Sequence, residues 1–183
     1  ISHRFSTSVE TLDDIAVIRD GRVYVPKAGQ LLTPRSDGTV EVQSIPRGER
    51  AKISANGKYA LIHSKQTDER YKFVVYDLEA ASIVHETTPR SQDDTGGLIR
   101  LEISSDGRLF GYQYHWSEMD SSGDFAWEFN AGRIVDWQNG TTLVNSYNEN
   151  YGYTNPPIGF NPVHNSLFLA PTDNGPVLFD GRQ

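Results

Sequence analysis

Apolar and polar positions alternate along this chain in short stretches, each ended by Gly, Asn, Asp or Pro. No segment of about a dozen residues holds the 3.6-residue apolar period of an amphipathic helix. Period-two stretches between turn residues are the pattern of half-buried strands, so the chain is predicted to be all-β and antiparallel.

The alternating stretches repeat. Residues 51–64 read AKISANGKYALIHS and residues 100–114 read RLEISSDGRLFGYQY, so Ile53 aligns with Ile103, Ser54 with Ser104, Asn56 with Asp106 and Gly57 with Gly107. Each copy predicts a strand, a tight turn and a second strand. The Asn-Gly or Asp-Gly pair is expected to supply positive φ in a two-residue turn. A looser copy lies at 158–171, and a fainter one begins with DIAVIRDGRVYVP at 14–26 and continues to residue 46. A second hairpin follows each copy, and an Asp closes the third strand at Asp77, Asp136 and Asp180.

Two hairpins in 40 to 55 residues are the unit of a four-stranded propeller blade. ISANGKY, ISSDGRL and VVYDLEAAS resemble the S-x-D-G-[KR] and [VI]-Y-D-L-x-x-[GS] patterns of TolB-like, WD40-like and peptidase-associated β-propellers. The third copy departs from them, with Val163-His164-Asn165 at its turn, and no WD dipeptide closes a blade. The resemblance implies one domain over 1–183, with blades near 14–46, 51–86, 100–145 and 158–183. Closed propellers usually need about four to eight blades. An open arc or small incomplete propeller is therefore expected, the alternative being a compact ring in which residues 1–8 supply a strand to the last blade.

In such blades the first-to-second and third-to-fourth strand turns share one end. The longer connections, 64–70, 87–97, 115–125 and 145–157, share the other. These hold eight acids (Asp68, Glu69, Asp93, Asp94, Glu118, Asp120, Asp124, Glu149) against Lys65, Arg70 and Arg90. They also hold Trp116, Tyr147, Tyr151 and Tyr153 among Ser, Asn and Gly. Stiff aromatics beside small polar residues suit protein recognition. The candidate partner-binding residues are His115, Trp116, Ser117, Glu118, Asp120, Ser121, Ser122, Asp124, Tyr147, Tyr151, Tyr153, Asp93 and Asp94. Ser117, Ser121 and Ser122 are the candidates for a plug that enters a partner's cleft.

The chain has 183 residues, 24 acids against 17 bases, a formal charge of −7 and no cysteine. An acidic chain repels phosphate backbones, so nucleic acid is not an expected partner and a basic protein is. Disulfides and thiolate chemistry are excluded. No apolar run approaches the roughly 20 residues of a membrane helix.

Catalytic patterns are missing: there is no G-x-S-x-G, P-loop or H-E-x-x-H. His63 and His85 are read as structural strand residues. The stretch from Asp120 to Glu128 only loosely resembles a calcium loop or an Asp-box and is read as a solvated turn. Asp13-Asp14 and Asp93-Asp94 are adjacent pairs whose side chains diverge, so neither alone makes a catalytic dyad. Asn139-Gly140-Thr141 is a formal glycosylation sequon that a hairpin turn explains more simply.

No cofactor, metal or enzymatic activity is therefore expected. The leading expectation is a non-catalytic inhibitor or immunity-type protein, periplasmic or secreted, although a cytoplasmic chain also fits this composition. The rival is a propeller segment of a larger hydrolase or scaffold. The start at Ile1 and the stop at Gln183 inside a turn suit that rival, and any signal peptide would lie outside this sequence.

Overall fold

The structure is a computed structural model that describes residues 15–65, 71–88, 97–119, 121–122, 125–149, 158–161, 167–172 and 175–180. It is all-β in these residues, with four antiparallel sheets following one another along the chain. The first holds β1 (Ala16–Val17), β2 (Val23–Val25), β3 (Gln30–Pro34) and β4 (Val40–Ser44). The second holds β5 (Arg50–Ile53), β6 (Tyr59–Lys65), β7 (Tyr71–Asp77) and β8 (Ser82–Thr87). The third holds β9 (Gly97–Ile103), β10 (Leu109–Met119), β11 (Phe125–Asp136) and β12 (Thr141–Glu149). The fourth shows three strands, β13 (Gly159–Phe160), β14 (Leu167–Thr172) and β15 (Gly175–Asp180). Every sheet is a simple meander, as in propeller blades, and among the described residues the sheets do not close into a ring, so the propeller is open or incomplete. The alternative in which residues 1–8 complete the last blade lies outside the described residues.

The cores lie between consecutive blades. Tyr24 and Leu31 of the first meet Ile62, Val74 and Tyr76 of the second. Leu61, Phe73 and Val75 on the opposite face of the second meet Phe110, Tyr112 and Tyr114 of the third. Leu109 and Ile134 then meet Ile158 and, at its edge, Phe160 and Phe179 of the fourth. Period-two alternation produces this layering, since one strand presents successive residues to two neighbours. Aromatic stacking reinforces the middle interface: the Phe73 and Tyr112 rings lie 4.4 Å apart at 21°.

The repeated motif explains itself at the turns. Gly57 N–H donates to Ser54 O at 2.8 Å, and Gly107 N–H donates to Ser104 O at 2.9 Å. These turns are longer than the expected two residues, and of the Asn/Asp-Gly pair only the Gly takes positive φ, at 73° and 81°. The Asn or Asp instead accepts hydrogen bonds: Ser54 Oγ donates to Asn56 Oδ1 at 2.6 Å and Ser104 Oγ to Asp106 Oδ1 at 2.7 Å. Those acceptors also bind the N–H of Lys58 and Arg108. The basic residue that follows Gly reaches the Asp closing the third strand of its blade. Lys58 Nζ lies 3.9 Å from Asp77 and Arg108 Nε 3.5 Å from Asp136. The two kinds of short turn therefore share one end of the blade, as the repeat implied.

The Asp closing the third strand caps the next turn. Asp77 Oδ1 accepts from the N–H groups of Glu79 and Ala80, and Asp136 accepts from the backbone and side chain of Asn139. Asn139 is thus engaged by its own turn, in keeping with the structural reading of its sequon. Position 81 in one turn matches position 140 in the other, and Ala81 sits at φ 53° where Gly140 sits at 65°. A left-handed residue with a Cβ costs about 1 kcal/mol.

Three substitutions separate backbone strain from packing. Ala81→Gly is expected to raise stability by about 1 kcal/mol, and Gly140→Ala, where a Cβ meets open space, to lower it by about the same. Gly107→Ala adds a collision with the Tyr59 ring and should cost about 2 kcal/mol or more. Thermal and urea unfolding of the three variants checks the order.

Candidate functional site

The third sheet outgrows its neighbours. Its strands β10 and β11 have 11 and 12 residues, against 7 each for β6 and β7 in the second. The ladder of β10 with β9 ends at His115 opposite Gly97. The ladder with β11 continues through Trp116↔Phe129, Ser117↔Glu128 and Glu118↔Trp127 to Met119↔Phe125, with a bulge before the last pair. On the other side, β12 reaches Glu149 opposite Phe129. Past that point, among the described residues, the sheet is a two-stranded ribbon.

This corrects one expectation. Residues 115–119 were read as the start of a loop, yet they are strand, as are 125–128 and 145–149. The sequence carries the reason: Tyr112, Tyr114 and Trp116 keep the period-two spacing, and aromatic residues favour strands. Lys65 likewise closes β6 instead of opening a loop.

The structure gathers part of the candidate set at this end. His115 is half-buried and pairs with Asn130 and Gly97. Trp116, Ser117 and Glu118 lie on β10, and Ser121 and Ser122 form the exposed turn beyond it. Tyr147 lies on β12 opposite Ala131. Asp93, Asp94, Asp120, Asp124, Tyr151 and Tyr153 lie outside the described residues.

His63 and His85 lie on β6 and β8. His63 is only 1% exposed and sits among the rings of Tyr71 (4.9 Å), Phe73 (5.3 Å) and Tyr114 (6.4 Å). Neither of its ring nitrogens has a hydrogen-bond partner among the described residues, and Glu49 is 4.0 Å from Nδ1. Burial first, and then the nearby Arg50 charge, push its pKa down to about 4. Burial also lowers that of His85. Among the described residues no three His, Cys, Asp or Glu side chains are grouped to hold a metal, and no helix is long and apolar enough to cross a membrane.

A second feature escaped the sequence reading. The inner-edge strands β1, β5 and β9 border a cleft of about 650 Å³. Its charged lining is Arg50, Lys52, Arg100 and Glu102, with Ala16, Val17, Ile53 and Leu101 between them. One Glu102 oxygen lies 4.0 Å from Lys52 Nζ and 3.5 Å from Arg100 Nε. The cations come from two different repeats, and only the juxtaposition of two sheets brings them together.

No protein-family model matches the chain, and no curated protein matches its sequence. Among solved structures it is similar to uncomplexed acylaminoacyl peptidase from Pyrococcus horikoshii, at 13% identity and a TM-score of 0.51, over 90% of this chain and 28% of that one. An orthorhombic crystal form of that peptidase gives 12% identity and 0.49 over 81% and 23%. The β-propeller domain of the Trilobed protease from Pyrococcus furiosus gives 11% and 0.45 over 85% and 42%. The chain thus spans less than a third of the length of the peptidase. At such identities the likeness concerns the fold alone.

Burial of neutral His63 has a pH signature. Its folded pKa lies below the value of about 6.5 for an unfolded chain, so the unfolded state takes the proton first as pH falls. The stability this histidine allows is complete above pH 6.5 and is lost between pH 6.5 and 4, by at most roughly 3 kcal/mol. Urea unfolding at pH 7 and pH 4.5 should show a smaller acid loss for His63→Leu than for the parent chain.

Proposed function

We propose that this chain is a non-catalytic protein-binding module whose contact element is the projecting end of the third blade. One observation carries the reading: among the described residues, β10 and β11 continue as a ribbon beyond the strands that flank them. A two-stranded ribbon is marginal by itself in water, and this one is rich in large residues, namely Trp116, Met119, Phe125, Trp127 and Phe129. Such residues are the usual anchors of protein interfaces. The exposed turn at Ser121 and Ser122 suits insertion into a concave partner.

The finer form of the reading is an inhibitor or immunity-type protein, periplasmic or secreted. Glu118, Asp120, Asp124, Asp93, Asp94 and Glu149 would steer a basic enzyme, and Trp116, Tyr147, Tyr151, Tyr153 or the serines would occlude its cleft. What supports it is the charge balance of the sequence around the ribbon and the lack of catalytic motifs. A second reading is a propeller segment of a larger hydrolase or scaffold. It is favoured by the likeness to a peptidase of which this chain spans 28%.

The two readings diverge in a capture experiment from the native source, followed by an assay of the captured enzyme. The inhibitor reading expects one basic hydrolase whose activity is lost on mixing. Capture of no such enzyme, with a native polypeptide that carries a catalytic domain, sinks it in favour of the second. In the captured complex Trp116→Ala and Tyr151→Ala should weaken binding about tenfold or more. Their unfolding midpoints should shift by no more than about 2 °C, since large losses would make them packing residues instead.

A further inference from the structure

We propose that the cleft on the inner wall of the arc is a binding site for an acidic peptide segment. Four described side chains give it charge, Arg50, Lys52, Arg100 and Glu102, so this wall is positive by two on a chain whose formal charge is −7. The placement is specific. Arg50 and Lys52 are two residues apart on β5 and thus share one side of that strand, while Arg100 comes from β9 of the next blade.

Glu102 already shows what the wall accepts. Its carboxylate lies between Lys52 and Arg100, within 4.0 Å of both. Arg50, by contrast, forms no ion pair with an acid among the described residues and is exposed. A ligand carboxylate beside Arg50 would gain a charge-assisted hydrogen bond in the fork geometry that arginine offers.

The rest of the lining favours a peptide over a small acid. Among the described residues β1, β5 and β9 are edge strands of their sheets, and an edge strand presents N–H and C=O groups with no ladder partner on its free side. Peptides use such groups for main-chain hydrogen bonds. Between the charges lie Val17, which is 72% exposed, and the partly buried Ile53, which can take the apolar stems of ligand side chains. The cleft volume of about 650 Å³ falls in the range of ligand sites.

The test is a calorimetric titration of the chain with hexaglutamate, with hexaglutamine as control. Saturable binding of hexaglutamate is expected, weakened about fivefold by Arg50→Gln and by Arg100→Gln and weakened further by moderate salt. Equal binding of hexaglutamine, or no saturation at low salt, overturns the proposal. So does an unchanged affinity in an Arg50→Gln/Arg100→Gln chain that melts like the parent. If those variants fold poorly, the comparison of the two peptides on the parent chain decides alone. Citrate that competes as well as hexaglutamate would mean that charge alone is read, and would overturn the assignment to a peptide. Trp116→Ala should leave the titration unchanged, which keeps this site separate from the ribbon.

Discussion

The first three blades are fastened to one another through the turns between their first two strands, and the rest of the fold is built on that contact. Arg22 Nη2 donates to Gly57 O at 3.3 Å, joining the first blade to the second. Asn56 N–H donates to Ser105 O at 3.0 Å and Asn56 Nδ2 to Asp106 O at 3.1 Å, joining the second to the third. The turn can do this because its internal polar groups are already satisfied by the Ser hydroxyl and the Asx side chain. Gly107 matters twice, since its φ closes the turn and its missing Cβ leaves room for Tyr59 of the preceding blade. Trp137 then reaches back to Gly107 O at 2.6 Å, which binds the third-to-fourth strand turn of the blade into the same end.

An arc made this way is nearly one-dimensional. Among the described residues, three apolar clusters each join consecutive blades. Stability then behaves as a sum of neighbouring interfaces, as in repeat proteins. The middle interface is the aromatic one: Phe73 stacks with Phe110 and Tyr112, and His63 sits among Tyr71, Phe73 and Tyr114. Charging an imidazole buried there is unfavourable, which ties the interface between the second and third blades to pH.

Much of this was legible because the repeat carries its own mechanism. Ser, Asx, Gly and a basic residue recur at fixed offsets since each performs one task in the turn, and Asp77 and Asp136 recur since each caps the next one. The first blade was faint for a physical reason: Ile18 stands where Ser54 and Ser104 stand. Its turn keeps the Asx device, with Asp20 accepting from Arg22, but lacks the hydroxyl. Its first two strands are also only 2 and 3 residues long. The extension of β10 was misread because polar residues within 115–119 resemble a loop, whereas the aromatic alternation that runs into Trp116 continues a ladder. The cationic wall was illegible because Arg50 and Arg100 are distant in sequence and meet only when two sheets stand side by side.

That wall changes what the acidic balance means. On average the chain repels anions, yet electrostatic recognition is local: at physiological ionic strength exposed charges are screened beyond about 8 Å. Arg100 on β9 pairs near Gln113 of β10, six residues before the strand ends at Met119. At about 3.3 Å per residue the ribbon end is roughly 20 Å from the wall, more than two screening lengths. An acidic ribbon end and a basic inner wall can therefore act on different ligands without cancelling. The strand directions enforce the separation, because residues near the middle of an inner-edge strand cannot approach the tip of the ribbon unless the ladder breaks.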